Sequence, residues 1–360
     1  MNSERNHIAV TFVGDISFND DYIKYYKAGV NPFKSIQPSL QSKDFVIGNL
    51  ECMAKGENGE NLLRRPRIST TAETLNYLSG LNVKLVSLAH NHVFDHLEDG
   101  FKNTTESLDK NGIRYLGASQ DRFQFDKPVI LNERGVSIGL LNYVTLDTNP
   151  NMPDNAGVYL NVFEVEKARK DIIDLKQKTD HVVALLHWGG RVEGGYYPDY
   201  DQPEVARALI DAGADLIIGS HSHTIQPFEI YKGKYIFYSL GNFCFSDYVF
   251  ENTFNPLPPR QYITTLVSVI FEKESYQVDL EFFENRKTEF VKINYDSVLK
   301  RRNWLFKVFF RKLVFWKMYF FHKKKILPLM NFMNRGDINF TEKMARLLNS
   351  FKKRIKPQTI

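Results

Sequence analysis

The sequence has few cysteines and no long apolar run. Cys52 and Cys244 are the only thiols among 360 residues. Two cysteines exclude a disulfide-rich scaffold and a zinc site built from thiolates. One disulfide between them is an alternative, but we expect two reduced thiols in the core. No stretch of roughly eighteen uncharged apolar residues occurs, so the sequence predicts no transmembrane helix.

The chain also lacks a strong charge bias and a recognisable targeting segment. Its polar residues 1–7 run directly into a strand-like stretch, which predicts no secretory signal and a cytoplasmic protein unless a partner exports it. The formal net charge of +5 is modest. No recognition motif accompanies it, so we do not expect nucleic-acid binding. A hydrophobic content of 43% predicts a globular chain with a substantial core.

Apolar strand-like runs alternate with helical segments up to residue 245. The predicted strands are 8–13, 44–48, 84–88, 113–116, 137–143, 181–186, 214–218 and 235–238, and the predicted helices are 20–28, 72–79, 98–110, 164–177 and 202–212. This alternation is typical of a layered α/β fold. Residues 262–272 and 276–284 then predict an antiparallel pair, and prolines predict a loop at 251–261.

The composition changes near residue 296. We therefore predict a domain at 1–290 and a basic, aromatic-rich helical extension at 296–360, in which 338–356 form a second basic helix. Between 300 and 325, aromatic side chains are interleaved with lysines and arginines. Two interpretations of this stretch are open. It lies on an anionic membrane surface, or it is an accessory cap that packs its aromatic rings on the main domain.

Side chains that can bind metals or act in catalysis follow the predicted strands directly. They are Asp15, Asn49 and Glu51, Asn91 and His92, His187, and His221 and His223. Ligands of open α/β sheets bind at the carboxyl ends of the strands, so we expect these groups to converge. Carboxylates, an amide and imidazoles fit two divalent metal ions, Mn, Fe or Zn, that clamp a phosphoryl group and generate a bridging hydroxide. The alternatives are that Asp15 caps helix 20–28 and that Glu51 is a plain surface acid.

The same residues lie in a series of motifs over residues 8–246. The motifs are Gly14-Asp15, Gly48-Asn49-Leu50-Glu51, Leu88-Ala89-His90-Asn91-His92 with Asp95, His187-Trp188-Gly189, Gly219-Ser220-His221-Ser222-His223 and Tyr238-Ser239-Leu240-Gly241-Asn242-Phe243. In order and spacing they resemble the CapA (poly-γ-glutamate capsule synthesis) family of the calcineurin-like metallophosphoesterases. The resemblance implies a four-layer α-β-β-α sandwich, two sheets flanked by helices, and a role in capsule or exopolymer biosynthesis.

The resemblance also implies a role for each matching residue. Those that resemble metal ligands are Asp15, Glu51, Asn91, His187, His221 and His223. His92 resembles the non-ligand histidine that donates a proton to the leaving oxygen or holds the scissile phosphate, and Asp95 would orient it. Asn49 and Glu51 are both candidates for the ligand that bridges the two metal ions, and the resemblance does not assign the role to one of them.

Two positions depart from the usual patterns. Calcineurin-like enzymes carry Asp-x-His at the first motif, whereas Ser17 stands here. This departure implies that one metal ion is bound weakly or with a different geometry. CapA proteins share the lack of this histidine, so it does not count against the resemblance. His90 stands where the family usually has asparagine, and it is a further ligand, a support for the ligands or neutral.

Further polar residues are candidates for substrate contacts. Arg64, Arg65 and Arg67 follow the Glu51 motif, where they bind an anionic polymer or phosphate or else form a solvated turn. Glu193 follows the His187 motif, and Asn242 follows strand 235–238 at the same edge.

These observations favour hydrolysis or transfer at a phosphoester or polymer bond by a metal-bound hydroxide. A second hypothesis is a non-hydrolytic, polymer-handling subunit that assembles with other subunits of a membrane-bound capsule synthase. A stand-alone phosphodiesterase ranks third, because nothing resembles a base-recognition site.

Overall fold

The computed structural model describes residues 6–326. Its strands are β1 (Ile8–Ile16), β2 (Phe45–Leu50), β3 (Met53–Ala54), β4 (Ser69–Thr70), β5 (Val83–Ser87), β6 (Arg114–Leu116), β7 (Ala118–Ser119), β8 (Val129–Glu133), β9 (Val136–Val144), β10 (Tyr159–Leu160), β11 (His181–His187), β12 (Leu216–Ser220), β13 (Phe228–Tyr231), β14 (Lys234–Phe237), β15 (Asn242–Cys244), β16 (Tyr248–Phe250), β17 (Thr253–Asn255), β18 (Ile263–Phe271), β19 (Tyr276–Asn285) and β20 (Phe290–Ile293). The α-helices are α1 (Asp21–Lys27), α2 (Gln37–Gln41), α3 (Tyr77–Gly80), α4 (Leu97–Lys110), α5 (Val165–Lys176), α6 (Gln202–Asp211), α7 (Asp296–Leu305) and α8 (Leu313–Phe321).

Two sheets form the centre of the fold. The first has the strand order β20-β19-β18-β1-β2-β5-β6, with β15 paired beside the end of β1. The second has the order β13-β14-β12-β11-β9-β8. Strands β1, β2, β5 and β6 run parallel to one another, and so do β9, β11, β12 and β14. Each sheet therefore has an edge at which several strands end together.

The helices and sheets stack in four layers. Successive side chains of a strand point to opposite faces, and β1 is apolar on both of its faces because both are covered. Val10 and Phe12 of β1 pack with Val183 and Leu185 of β11 in the core between the two sheets. On the other face of the first sheet, side chains of α1 to α4 form a second core with β1 and β2. Helix α5 covers the second sheet and packs beside α6. The predicted α-β-β-α sandwich is thus confirmed.

The predicted loop at 251–261 is partly wrong. Residues Thr253–Asn255 form β17, which pairs with β16 and places Val249 opposite Phe254. Glu251 and Asn252 form the hairpin turn with positive φ angles of 48° and 61°. Two central turn residues with positive φ match the twist of the two hairpin strands. In a sequence, such a turn is normally recognised by a glycine, and this turn has none.

The described residues form two compact units that divide between Lys307 and Val308. Helix α7 belongs to the first unit, in which Leu299 packs with Ile225 and Phe282. Helix α8 belongs to the second unit. No helix among residues 6–326 is long and apolar enough to cross a membrane. The predicted domain boundary near residue 296 stays a prediction, and the predicted helix at 338–356 lies outside the described residues.

Candidate metal centre

The candidate site lies where the parallel strands of both sheets end. Glu51 directly follows β2, and His187 is the last residue of β11. His221 and His223 follow β12 with φ angles of 89° and 56°. Residues other than glycine rarely adopt this left-handed conformation, which tends to persist where function requires it. The two sheets meet here, since Asn49 Nδ2 of the first lies 3.2 Å from His187 Nδ1 of the second.

Ligand-capable atoms form two groups that share Glu51. One group holds Asp15, Glu51 and His223, the other holds Glu51, His187 and His221, and the donor atoms of each lie within 4.8 Å of one another. His223 Nδ1 is 3.3 Å from Asp15 Oδ2, and His187 Nε2 is 3.6 Å from Glu51 Oε1. Two adjacent metal ions would therefore share the carboxylate of Glu51.

Asn91 lies beside the second group. Its Oδ1 is 3.1 Å from His187 Nε2, the nitrogen that also faces Glu51. An amide oxygen is a suitable ligand for a hard or borderline divalent ion. All six residues predicted as ligands are thus brought together.

Several donor atoms in these groups are buried and unsatisfied. Within residues 6–326, Glu51 Oε1 and both ring nitrogens of His221 have no hydrogen-bond partner. Glu51 is 0% exposed and His221 is 1% exposed. Leaving such an atom unpaired costs about 1–3 kcal/mol, and more for a charged group. Divalent metal ions bound between these atoms would offset that cost, so the donor set fits two such ions.

The pKa values of the buried histidines and carboxyl groups are shifted by burial and by the charges of their neighbours. Burial lowers the pKa of His221 to about 4 and holds the pKa of His187 well below its usual value, which keeps both imidazoles in the neutral form that binds metals. Burial, and then the neighbouring charge of Asp15, raise the pKa of Glu51 well above its usual value. Burial also acts to lower the pKa of His223, but the carboxylates of Glu51 and Asp15 outweigh it and raise that pKa to about 10.

Two asparagines orient the ligands. Asn49 Oδ1 accepts a hydrogen bond from Ser87, so its amide group points at Asp15 Oδ1 at 2.9 Å. Because its oxygen is engaged by Ser87 while its Nδ2 faces Asp15, the geometry favours Glu51 over Asn49 as the shared ligand. Asn242 Oδ1 lies 2.9 Å from His223 Nδ1 and directs the other ring nitrogen towards Glu51. Such supporting hydrogen bonds fix the ring orientation of a ligand histidine.

His92 lies in a separate chain of contacts. Its Nδ1 is 2.6 Å from Asp95 Oδ2, which also accepts a 2.7 Å hydrogen bond from the backbone N–H of Ile68. Its Nε2 is 3.2 Å from Arg64 Nη2. Burial, and then the positive charge of Arg64, hold the pKa of His92 well below its usual value.

The candidate site opens into a cavity of about 290 Å³. Its lining includes Arg64, His92, His221, His223, Glu193 and Asn242 together with the apolar side chains of Phe245, Tyr248, Pro256, Leu257 and Pro258. Arg65 also lines the cavity, but it pairs with Glu251 at 3.1 Å. Arg67 pairs with Glu60 at 2.7 Å. Of the three predicted arginines, Arg64 is thus the one aimed at the site from a buried position.

The two departures in the motifs have structural counterparts. Ser17 is fully buried, and its hydroxyl donates a hydrogen bond to Asn19 Oδ1 at 2.9 Å. His90 is also fully buried, belongs to neither ligand group and accepts a hydrogen bond from the backbone N–H of His92 at 3.1 Å.

Residues 147–149 were missed at the level of sequence. Asp147, Thr148 and Asn149 line the cavity, and the carbonyl oxygens of Thr148 and Asn149 accept hydrogen bonds from Arg64. They follow the predicted strand 137–143 at the same sheet edge, so the rule that found the other residues also applies to them.

Comparison with known proteins places the chain in a family. The family model "Bacterial capsule synthesis protein PGA_cap" matches residues 9–247. The chain belongs to this family. It is 30% identical over 260 residues to the "Capsule biosynthesis protein CapA" of Bacillus anthracis, covering 67% of this chain and 61% of that protein. It is 28% identical over 251 residues to the "PGA biosynthesis protein CapA" of Bacillus subtilis strain 168, covering 66% of this chain and 63% of that protein. The chain thus spans less than two thirds of the length of these relatives.

Similar solved structures include a hypothetical protein from Thermus thermophilus. It has 17% sequence identity and a TM-score of 0.48, and the match covers 77% of this chain and 99% of that one. The NAD nucleotidase of Haemophilus influenzae has 13% identity and a TM-score of 0.44, with 84% and 56% covered. The resemblance to the CapA family found in the motifs is confirmed by the family match.

Proposed function

We propose that this capsule-synthesis family member is a metal-dependent hydrolase or transferase. It uses two divalent ions, Mn, Fe or Zn, and acts on a phosphoester or a related bond of a poly-γ-glutamate-like polymer. The observation that supports this most is the pair of ligand groups that share the buried Glu51. Both relatives carry capsule or PGA biosynthesis in their names, which supports an anionic polymer or its precursor as the substrate.

The residues of the site have distinct roles in this proposal. A pair of divalent ions, when bound, would supply an activated water and neutralise charge on the phosphoryl oxygens. Asp15, Glu51 and His223 would hold one ion, and Glu51, Asn91, His187 and His221 the other. Asn49 and Asn242 keep the carboxylates and the His223 ring in place. A substrate at the ions also contacts Arg64, His92 and Glu193, since these line the same cavity.

The first test is the metal content of protein purified without chelators. We expect about two ions per chain, as in two-metal phosphatases, measured by elemental mass spectrometry. His221→Ala and Asp15→Ala should each lose metal, whereas His322→Ala changes an exposed histidine of the second unit and should not. Unchanged stoichiometry in both site variants would show that the ligand assignment is wrong.

A second candidate function is a non-hydrolytic subunit of a membrane-bound capsule synthase. Ser17 favours it, because a hydroxyl bonded to Asn19 replaces the histidine of the Asp-x-His motif. Hydrolysis of bis-p-nitrophenyl phosphate by the wild type, lost together with metal in His221→Ala, would exclude this candidate. Full metal occupancy without turnover of any phosphoester would favour it. A stand-alone phosphodiesterase would instead turn over soluble diesters with no requirement for the polymer.

We also propose that residues 300–325 contact the inner face of the membrane, and the observations that support this come from the part of the stretch in the second unit, 308–325. Helix α8 is apolar except for Lys317, yet Val314, Met318 and Phe321 are each more than half exposed. A helix that is apolar on every side is normally covered. No acidic residue occurs between 297 and 325, and Lys323, Lys324 and Lys325 follow the helix. Apolar insertion combined with basic charge is the pattern that binds anionic lipid.

Flotation of the full chain with vesicles tests this contact. We expect binding to vesicles that contain phosphatidylglycerol and little binding to pure phosphatidylcholine, because attraction to the anionic surface contributes about 1 kcal/mol per basic residue. The double variant Val314→Ser/Met318→Ser should bind less, while Phe254→Ser, an exposed aromatic of the first unit, should bind normally. Equal flotation of all three proteins would contradict the contact and favour the interpretation as a packed cap.

A further inference from the structure

Arg64 is a buried cation that forms no ion pair in the described part of the chain, although its charge acts at longer range on the carboxyl groups of Asp95 and Glu193. It is 8% exposed, and it forms no ion pair within residues 6–326, although its neighbours Arg65 and Arg67 each pair with a glutamate. Its Nε–H is buried and has no hydrogen-bond partner among those residues. Burying an unpaired charge is costly, and such charges normally pair with an opposite charge. The position therefore calls for an anion that is not part of the described residues.

The guanidinium of Arg64 is held firmly in place. Nη1 donates hydrogen bonds to the carbonyl oxygens of Asn149 at 2.9 Å and Thr148 at 3.4 Å. Nη2 lies 3.2 Å from His92 Nε2. Arginine has donors only, so His92 Nε2 must be the acceptor in this contact. The proton of the neutral ring then sits on Nδ1 and is donated to Asp95 Oδ2 at 2.6 Å.

This arrangement bears on the role of His92. While its Nε2 accepts from Arg64, it cannot also give a proton to a leaving oxygen. Arg64 is the other donor group beside the cavity, and its buried Nε–H has no hydrogen-bond partner among residues 6–326. Arg64 lines the same cavity as His221 and His223 of the two ligand groups.

We propose that Arg64 binds the phosphoryl oxygens of the substrate, and that His92 and Asp95 are positioning residues for its guanidinium. The proposal rests on the proposed function for the identity of the substrate. A tetrahedral oxyanion between the ligand groups and Arg64 receives charge-assisted hydrogen bonds from the planar fork of the guanidinium. The ligand class is therefore a phosphate ester, and free inorganic phosphate is its simplest representative.

Calorimetric titration with inorganic phosphate tests this site, with and without added Mn²⁺. We expect Arg64→Gln to weaken phosphate binding about ten- to a hundredfold, the usual value of a hydrogen bond to a charged group. Arg64→Lys keeps the positive charge but loses the planar guanidinium, so its phosphate affinity should lie between those of the wild type and Arg64→Gln. Arg65→Gln removes the same charge from the same loop and the same cavity wall and should weaken phosphate binding much less than Arg64→Gln, because Arg65 is paired with Glu251 at the surface. Acetate should bind more weakly than phosphate in the wild type.

The role of His92 has a readout that does not depend on folding of a variant. Nitrogen-15 spectra of the histidine rings should show the Nδ1–H form of His92 in the wild type. In Asp95→Asn the amide oxygen can still accept from both the Ile68 N–H and His92 Nδ1–H, so this variant should keep the Nδ1–H form and is the matched control. In Asp95→Leu no acceptor remains for Nδ1–H, so the ring proton is no longer held there, and a proton on Nε2 is set against the guanidinium of Arg64. Phosphate affinity should then fall as it does in Arg64→Gln.

The outcomes separate this inference from the proposed function. No phosphate binding by the wild type, or equal affinities in Arg64→Gln and Arg65→Gln, would overturn the anion site even if both metal ions are present. An Nε2–H ring in the wild type would overturn the positioning role of His92. Phosphate binding that depends on Arg64 in a protein without turnover would support the site while contradicting the hydrolytic function.

Discussion

Substitution of the shared ligand should have opposite effects with and without metal. In Glu51→Gln the shape of the side chain is kept while its charge is removed. Glu51 is fully buried, and burial together with Asp15 raises its pKa well above the usual value. A raised carboxyl pKa means that the folded protein binds more protons than the unfolded chain. Burial of Glu51 therefore lowers the free energy of unfolding by an amount that is absent at low pH and grows as the pH rises above the ordinary pKa of 4.5. This amount is the penalty of burying the carboxyl group. Glu51→Gln removes this penalty.

The size of the effect follows from that linkage. At pH 7 the penalty has an upper bound of about 3 kcal/mol, because keeping a carboxyl protonated costs 1.36 kcal/mol for each pH unit above its ordinary pKa. The charge of the His223 ring, which acts to lower the pKa of Glu51, makes the penalty smaller than this bound. In chelator at pH 7 we expect Glu51→Gln to stabilise the protein by about 1–3 kcal/mol, or roughly 2–8 °C in Tm. At pH 4.5 the gain should nearly vanish. In the wild type, a metal ion present at a hundred times its Kd adds about 2.7 kcal/mol to the free energy of unfolding. The variant, which lacks the ligand common to both groups, should gain less than half of that.

Differential scanning calorimetry at both pH values, with EDTA or with Mn²⁺, measures all four states. Glu106→Gln removes the same charge from an exposed position of α4 and should shift stability by no more than about 0.5 kcal/mol. A metal-dependent gain in Glu51→Gln equal to that of the wild type would refute the shared ligand. A loss of stability in chelator at pH 7 would refute the argument from the unpaired carboxylate.

Three further predictions concern the frame of the site. Asp215→Asn should cost about 1–3 kcal/mol at pH 7 in urea unfolding. Burial alone would raise the pKa of Asp215, but two lysine ammonium groups at 2.6 and 2.7 Å outweigh it and lower that pKa. The contribution of Asp215 to the free energy of unfolding is therefore present above its ordinary pKa of 3.8 and should fade as the pH falls below it. A difference in stability between wild type and Asp215→Asn that stays the same down to pH 2 would contradict this. Gly14→Ala should cost roughly 3 kcal/mol or more, since the new Cβ would lie 1.8 Å from the carbonyl oxygen of Gly241, and near-normal thermal stability would refute the close contact. Arg302→Ala should cost about 1 kcal/mol and speed chymotrypsin cleavage near Tyr196, on which the guanidinium stacks at 4.1 Å, while an unchanged cleavage rate would show that Arg302 does not hold this segment.

The layered α/β fold and the clustering of the ligand-capable residues could be predicted because one rule governs both, whereas the four-layer sandwich was implied by the resemblance to the CapA family. Apolar runs such as 181–186 and 214–218 are short enough to be buried parallel strands, and a ligand-capable side chain follows each of them. The structure places those strand ends side by side, so a regularity along the chain became a cluster in space.

The role of Arg64 could not be predicted in the same way. It lies in the stretch between β3 and β4, which has no periodic apolar pattern, and its two neighbours are also arginines. Charge alone gives no reason to choose among the three. The choice comes from tertiary contacts with Thr148, Asn149 and His92, which are distant in sequence. The hairpin of β16 and β17 was missed for a different reason, because Glu251 is not typical of positive φ and the turn contains no glycine.

The two ligand groups are unequal, and this bears on how the site would work. The group around His187 has four candidate donors, with Asn91 and His221 beside Glu51, whereas the group around Asp15 has three. An ion such as zinc would take at least four ligands, so the smaller group would need a further ligand, from water or from the substrate. The serine that replaces the expected histidine is bonded to Asn19 and does not supply that ligand. In the proposed two-metal site, weaker binding of one ion and an open position for substrate would have the same cause. The missing histidine is therefore compatible with catalysis, provided that the substrate completes the coordination and that Arg64 neutralises the charge it brings.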